Sequence, residues 1–546
     1  METFLSKEIT KGLVNFLQYS NSKVLLDENR IQVLQKLYGY TNGIFELLDK
    51  ITCHIVNAKI LSGFPENVRN EGFRKAFQSR LLQEDCPLRG TPRCSSSSKF
   101  FRTADGTCNN LAKPWWGASM LPMERFLRPK YEDDIQEVRR ARSGRRLPSA
   151  RDVSVRIHRD KNQEIPTVTL MFMQWGQFID HDLVSTVKSR SFNGSIPRCC
   201  DRRGQNPLPL DLMHPSCLPI HVSDDDWLLS RFGIRCLEFM RSAPATRLDC
   251  DLGWREQMNQ VTSYLDASNV YGSDLETSDA LRTFRNGKIQ YGRPLGNGPL
   301  NPPDPPGGEL CRSGALSTEC FQGGDGRFGE QSGLTALHTV WVRYHNKVAT
   351  TLGKLNKHWG DERIFQETRK IVGALVQHIT YREFLPIVVG PEVMDLFELS
   401  LSRKGYFKGY DERVNPAIAN SFGAAAFRFG HSMVQNSYVR FDGMHRPLFN
   451  NVSLHRELDN FENIWNFGSV DRLLLGFVNQ PAQRRDEFIC EELTNNLFRP
   501  LGAPFGVDLA AINIQRGRDH GLPHTRHGGN LVVYLKSKIG VISRQY

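Results

Sequence analysis

The chain has 546 residues, with 70 Lys and Arg against 59 Asp and Glu, a formal net charge of +11. Its 39% hydrophobic and 24% charged residues are those of a globular protein, which excludes a disordered chain, a collagen or a coiled coil. The longest uncharged apolar-rich stretch, Thr167 to Ile179, falls short of the roughly 20 apolar residues a membrane helix needs, so no membrane span is expected.

Residues 1–85 read as a helix-rich leader, with Leu13, Phe16 and Leu17 and then Val33, Leu34 and Leu37 at helical spacing. Met1–Glu8 lacks the basic segment and apolar run of a signal peptide. A Cys-, Ser- and Gly-rich stretch from Cys86 to Asn110 marks a boundary. The basic run Arg139–Arg146 precedes Leu147-Pro148 and has no interleaved aromatics. It is expected to be a solvated loop and not a nucleic-acid site, with a paired-basic cleavage site as the lesser reading. The basic excess suits an anionic surface, such as an extracellular matrix. Thr167–Ser185 is expected to be one helix, placing Gln177 and His181 at i,i+4 on a shared face. Asn301–Gly308 is rich in Pro and Gly and must be loop. Leu334, Leu337, Trp341, Tyr344 and Val348 form an apolar stripe, and Ile364, Ile371, Leu375 and Ile379 form another in the next helix. Strand alternation is scarce and no repeat is visible, so the fold class is mostly α with little β.

Twelve cysteines occur without a CxxC pair, which leaves zinc ribbons and thioredoxin-type redox motifs unsupported. Cys94 with Cys108 and Cys311 with Cys320 read as two closed loops. Asn193-Gly194-Ser195 and Asn451-Val452-Ser453 are glycosylation acceptors. Together these features point to a secreted, disulfide-bonded glycoprotein.

Several motifs match known sites only in part. Gly324-Asp325-Gly326-Arg327-Phe328-Gly329 fits GxGxxG but lacks the strand and βαβ setting of a dinucleotide site. His520, His524 and His527 have zinc-like spacing, yet they read as exposed tail histidines. There is no HExxH, no Walker loop and no GxSxG. What remains is polar chemistry placed where apolar residues are due. Gln177-Phe178-Ile179-Asp180-His181-Asp182 ends an otherwise apolar run. Phe427-Arg428-Phe429-Gly430-His431 follows Gly423-Ala424-Ala425-Ala426, with a glycine beside the histidine that would let something flat approach. Thr262-Ser263-Tyr264-Leu265-Asp266-Ala267-Ser268 alternates oxygen-bearing groups in the manner of a calcium loop.

Taken together, these segments resemble the animal haem peroxidases, the family that includes myeloperoxidase, peroxidasin and the insect chorion peroxidases. The style of the chain, as at Leu147–Arg151, is closest to the arthropod branch. The resemblance implies a fold in which haem lies between two central helices, and a domain spanning 93–523 between a leader (1–92) and a divergent tail (524–546). By resemblance, His181 is the distal acid–base, Arg327 the distal arginine and Gln177 the distal glutamine that holds water or halide. His431 is the haem-iron ligand, Asn513 its hydrogen-bond partner, and Arg428 and Arg516 pair with haem propionates. Asp180 and Glu330 match the carboxylates that become ester-linked to haem b. Asp182, Thr262, Tyr264 (through its carbonyl), Asp266 and Ser268 match the family's Ca2+ site. Gln331 stands where myeloperoxidase has a sulfonium-forming methionine. Oxidation of phenols, tyrosines, iodide or thiocyanate is therefore expected over that of chloride.

The implied activity is reduction of hydrogen peroxide to water at the expense of a small or tyrosyl reducing donor, the chemistry of an oxidoreductase acting in oxidative stress. The resemblance stops after His520-Gly521-Leu522-Pro523, where relatives continue with further helices. The expectation is a C-terminally incomplete chain that also lacks its export signal. The alternatives are an extracellular adhesion or matrix protein, although no Arg-Gly-Asp or Lys-Gly-Asp tripeptide occurs, or a haem-free pseudoperoxidase.

Overall fold

Thr167, Val168 and Thr169 are β-branched and follow Pro166, a run that favours an extended chain over a helix. In the computed structural model these residues belong to a strand and not to the helix expected to begin at Thr167. The structure describes residues 92–524 except 192–193, 248–252, 291–321, 406, 449–450, 459, 461, 466 and 501. The leader helices, the Cys311–Cys320 loop, the Asn301–Gly308 loop, the Asn193 acceptor, His527 and the tail from 525 lie outside the described residues.

In chain order the principal elements are β1 (Leu121–Pro122), α1 (Ala150–Ile157), β2 (Glu164–Thr169), α2 (Leu170–Leu183), β3 (Pro244–Ala245) and β4 (Glu256–Asn259). They continue with α3 (Ser268–Tyr271), α4 (Ser332–Leu355), α5 (Asp361–Ile379), α6 (Asn420–Ala424), α7 (Ser469–Asn479), β5 (Pro481–Gln483) and α8 (Leu509–Asp519). The described chain is mainly helical. Its sheets are small: β4 lies between β1 and β3, and β2 pairs antiparallel with β5 in the register Glu164 to Gln483 and Ile165 to Ala482. The Leu170 N–H donates to the Gln480 carbonyl at 2.9 Å, so the strand pair also sets the first residue of α2.

Helix α2 is the seam between two apolar cores. Leu170 and Met173 join Phe328, Leu473 and Phe477 on one side, while Trp175, Phe178 and Ile179 join Leu334, Trp341 and Phe365 on the other. A helix apolar on most of its circumference belongs in the interior. Gln177, Asp180 and His181 of its last two turns thus share one face. The α4 and α5 helices form as expected, and Leu334, Leu337, Trp341 and Ile364 of the expected stripes are buried, but the stripes and the buried faces do not fully coincide. Tyr344 and Ile371 are exposed, whereas His338, Val342, His345 and Ala349 of α4 and Phe365, Val372 and Val376 of α5 are buried. The expected stripe omits polar residues, yet His345 is a core residue because Tyr271 Oη lies 2.7 Å from its Nδ1 and the Gly287 carbonyl 2.8 Å from its Nε2.

The basic run forms an exposed turn at Arg142–Arg146, and the chain then enters α1 through Arg151. That side chain is fully buried. Its Nε meets Asp226 at 2.8 Å, its Nη1 meets Asp508 at 2.7 Å and the Thr494 carbonyl at 3.0 Å, and its Nη2 meets Asn495 at 3.1 Å. Asp508 is also the N-cap of α8, accepting from the Ala511 N–H. Arg151→Ala would strand two buried carboxylates, so a loss of about 3–5 kcal/mol is expected in denaturant melts of the full chain. A loss within about 0.5 kcal/mol, as for an ordinary surface change, would contradict this account.

Candidate active site

The polar face of α2 presents Gln177, Asp180 and His181. Gln177 belongs to a cluster of three amides. Its Oε1 accepts from Gln174 at 3.1 Å and from Gln331 at 2.8 Å, and Gln331 also donates to Gln174. Gln331 is at the same time the N-cap of α4, accepting from the Gly333 N–H at 2.7 Å, so the amide cluster ties α2 to the start of α4.

The imidazole of His181 is buried, with Nδ1 3.9 Å from Asp325 and Nε2 3.8 Å from Glu330. Nδ1 has no hydrogen-bond partner. Burial, with the Arg327 cation alongside, pushes its pKa well below the ordinary imidazole value, so the ring is a neutral base. Arg327 is fixed by Asp325 through two parallel bonds, Nε to Oδ1 at 2.9 Å and Nη2 to Oδ2 at 2.8 Å, and it also reaches the His181 carbonyl at 3.3 Å. Burial alone would raise Asp325, but the guanidinium outweighs it and holds the carboxyl at about 2. Burial pushes Asp180 up to about 6, against the pull of Arg327 and Arg428.

Gly324 shows why the GxGxxG segment exists here. A Cβ on it would run into the backbone of Val270, Tyr271 and Gly272. The segment is a turn pressed against α3, carrying Asp325 and Arg327 to His181, and not a phosphate loop.

Asp182 points the other way, into the interior. Its Oδ1 accepts from Ser268 Oγ at 2.9 Å and its Oδ2 from the Ala267 N–H at 3.1 Å. Thr262 Oγ1 and the Ser268 N–H donate to Asp266 Oδ1 at 2.9 and 3.0 Å. Asp266 Oδ2 is buried without a partner. Burial and then the Asp266 charge push Asp182 up to about 8. Two buried carboxylates with an orphaned oxygen, ringed by hydroxyls, fit a hard oxygen-seeking cation. Among the described residues no three His, Cys, Asp or Glu side chains cluster as a metal site, so such a cation would rely on hydroxyl and carbonyl oxygens. The Tyr264 hydroxyl donates to the Trp116 carbonyl at 2.7 Å, which leaves only its carbonyl for that role.

The second histidine lies on a 3-10 helix, Ala426–Met433, that follows α6 and touches α2. His431 Nδ1 is 2.7 Å from Asn513 Oδ1 of α8. Burial, then the nearby Arg428, lowers the ring to about 4. Arg428 is held by the Ala424 carbonyl at 3.1 Å, and it feels Asp180, Arg516, Arg327 and Glu330. Both histidine sides therefore share one electrostatic space. A Cβ on Gly430 would meet nothing within 4 Å, so the backbone beside His431 leaves room for a flat group. These residues fit haem.

Arg516 is more deeply committed to the protein than its expected propionate role implies. Its Nη1 reaches the Met240 carbonyl, Ser242 Oγ and Asp519, each at 3.0 Å. His520, expected as an exposed tail residue, is fully buried, with Nε2 2.7 Å from Ser242 and Nδ1 2.8 Å from Asn420. His524 is exposed.

Three participants are not evident from the sequence. Asp325 sits inside the GxGxxG match and is masked by it, although an Asp two residues before an Arg is a signal of local pairing. Gln174 is another, and Gln331, singled out in the sequence only for the methionine it replaces, is the third, its bonds to Gln174 and Gln177 visible only in three dimensions.

Comparison with known proteins gives a consistent picture. Residues 101–526 match the family description "Animal haem peroxidase". The chain is 41% identical over 435 residues to chorion peroxidase of Drosophila melanogaster, covering 79% of this chain and 53% of that protein. It is 40% identical over 451 residues to human peroxidasin homolog, covering 78% of this chain and 29% of the relative. The chain thus spans about half, or less, of the length of these relatives. Among solved structures, peroxidase A of Dictyostelium discoideum superposes with a TM-score of 0.63 at 26% identity, covering 78% of this chain and 76% of that one.

Asp325→Ala would free Arg327 of both charged hydrogen bonds. The expected cost is about 1.5–3 kcal/mol in a thermal or denaturant melt, with Asp325→Asn losing less. Equal melting of wild type and Asp325→Ala would show that the pair does not hold the turn.

Proposed function

The chain belongs to the animal haem peroxidase family, and from that premise we propose that it is a haem-dependent peroxidase that reduces hydrogen peroxide to water while oxidising a phenolic, tyrosyl, iodide or thiocyanate donor. The observation that carries this reading is a pair of neutral imidazoles set for different tasks. His181 stands unpartnered at Nδ1 beside a fixed cation, and His431 is tied back through Nδ1 so that Nε2 faces away from its anchor.

Haem, when bound, supplies the iron that takes the peroxide and the porphyrin that stores oxidising equivalents. The chain's own residues do the rest. His431 would hold the iron through Nε2, and the Asn513 carbonyl oxygen, by accepting from Nδ1–H, fixes the tautomer and raises the basicity of the ring. His181 takes a proton at Nε2 from one peroxide oxygen and returns it to the other, a role worth ~10²–10⁴ in rate. Arg327, already locked by Asp325, offers its charge to the separating oxygens without reorganisation. Gln177 orients water or a halide through its amide. Asp180 and Glu330 are the carboxylates for ester links to haem b, and Arg428 and Arg516 are the cations for its propionates. Asp182, Thr262, Asp266, Ser268 and the Tyr264 carbonyl would hold Ca2+ and steady the end of α2.

Gln331 is spent on its amide and cap bonds and provides no thioether, which supports readily oxidised donors over chloride. The Cys94–Cys108, Cys199–Cys217 and Cys200–Cys236 disulfides support a secreted, oxidising setting.

The test is an absorption spectrum of the full chain produced with haem, before and after acid-solvent extraction. A Soret band that stays with the polypeptide is expected, absent in His431→Ala and extractable in Asp180→Asn with Glu330→Gln. In the loaded protein His181→Ala is expected to slow peroxide reduction by ~10²–10⁴; retention of the wild-type rate would remove His181 from the chemistry. Calcium at one hundred times its Kd is expected to stabilise the chain by about 2.7 kcal/mol over chelator-treated protein. The gain should vanish in Asp266→Asn, and a melting temperature indifferent to calcium would strike the cation site from this reading.

A further inference from the structure

His181 and Asp325 are almost wholly buried. A peroxide or an iodide ion reaches a buried imidazole more readily than a tyrosine carried on another protein does. The structure nevertheless offers that substrate a way in, through oxidisable rings that run from α2 to the surface.

Trp175 is buried on the apolar side of α2 that packs against Trp341, across the helix from Gln177 and His181. Its ring centroid is 6.2 Å from that of Trp341 on α4, and Trp341 is 6.2 Å from Tyr344 in an edge-to-face arrangement. Phe178, one turn before His181, packs against both indoles, 5.4 Å from Trp175 and 6.1 Å from Trp341. The Trp175 indole N–H donates to Thr380 Oγ1 at 3.2 Å, and Thr380 donates to the Val376 carbonyl at 2.8 Å. The indole is thereby fixed in orientation. Thr380 opens a π-helical turn, Thr380–Phe384, that continues α5, an irregularity that frequently accompanies functional positions. At the far end Tyr344 is 37% exposed, and its hydroxyl has no hydrogen-bond partner among the described residues.

Phenylalanine would serve packing equally well at the part-exposed Tyr344 position. An exposed tyrosine on a helix face that faces water contributes little to the core. Indole and phenol are instead the core aromatics that give up one electron most readily, and here they are ordered from buried to exposed.

We propose that Tyr344 is a second, surface oxidation site, connected through Trp341 and Trp175 to the haem site, that takes electrons from phenols too large for the cleft, tyrosines on other proteins above all. This rests on the peroxidase reading. Each hydrogen peroxide accepts two electrons and two protons, its O–O bond breaks, and two waters form. Each electron moves from Trp175 inward, is replaced from Trp341, and is replaced there from Tyr344, which releases its hydroxyl proton to water. Tyr344 recovers an electron and a proton from the substrate phenol, whose O–H bond is broken. Two substrate phenoxyl radicals from one peroxide then join through a carbon–carbon bond.

The experiment uses the haem-loaded full chain treated with hydrogen peroxide and a nitroso spin trap, with no donor, followed by peptide mass spectrometry. The trap is expected on Tyr344 in the wild type, absent in Tyr344→Phe, and lost from the intact Tyr344 in Trp341→Phe. In parallel, dityrosine formation on a folded tyrosine-bearing protein is expected to be lost in Tyr344→Phe, while iodide oxidation stays at the wild-type rate. Tyr344 is a surface residue, so this variant keeps its fold, and an unchanged Soret band and melting temperature verify that for Trp341→Phe. Unchanged dityrosine formation in Tyr344→Phe, or a trap found only on other residues, overturns the relay. A wild-type chain that binds haem but oxidises no iodide overturns the peroxidase reading beneath it, and the relay falls with it.

Discussion

Asp182 is a carboxylate in the interior, at the end of a helix, and the surroundings of α2 are arranged to receive it. Ala267 adopts the left-handed conformation at φ 61°, which brings its N–H, and that of Asn269, onto that carboxylate. Asn269 of the same turn donates to the Phe178 carbonyl at 2.8 Å, so α3 grips α2 from its end and from its side. The grip is passed on: Gly324 presses on α3, Asp325 follows it, and Arg327 returns to the His181 carbonyl. Charged hydrogen bonds of this kind are worth about 1.5–3 kcal/mol each. For the proposed proton transfer their value is positional, since they keep the His181 ring from wandering.

The other side is organised by one helix. Within eleven residues α8 offers Asn513 to His431, Arg516 to the Ser242 region and Asp519 to Arg241, at 2.7 Å in the last case. Asp519 also accepts the Ser242 N–H at 2.8 Å, and the Arg241 and Arg516 cations hold it ionised despite burial. Next in the chain, His520 bonds to Asn420, the first residue of α6. The segment carrying His431 is thus braced through α6 as well as through Asn513. Helix α8 can act as such a platform because Asp508, its cap, is pinned by Arg151.

Much of this is legible in the residues alone. The run Gln177–Asp182 announces itself because polar groups interrupt an apolar helix, and Gly430-His431 because a glycine precedes a histidine after a string of alanines. The loop Thr262–Ser268 is legible from its alternation of oxygens. What is not legible stays hidden for identifiable reasons. A stripe drawn through apolar residues finds buried Leu334, Leu337 and Trp341 but passes over His338 and His345, which lie on the same buried side of α4. Asp325 reads with its flanking glycines and not with Arg327. His520 resembles its exposed neighbour His524, whereas its partners, Ser242 and Asn420, are 278 and 100 residues away. Local patterns cannot show partners at that distance.

The pairing of β2 with β5 also governs when the protein can become itself. Helix α2 is placed by a strand near the end of the chain, Gln163 bonding to Gln483 across 320 residues, and α1 is joined to α8 across 357. On the ribosome, the segment bearing His181 is complete long before its strand partner is made. Until then its face toward Leu473 and Phe477 is uncovered, and exposed apolar surface of this kind is what makes large chains aggregate. The described disulfides close loops of 14, 18 and 36 residues, so these links need only local chain. Early local ties and very late long-range closure make this a slow-folding topology.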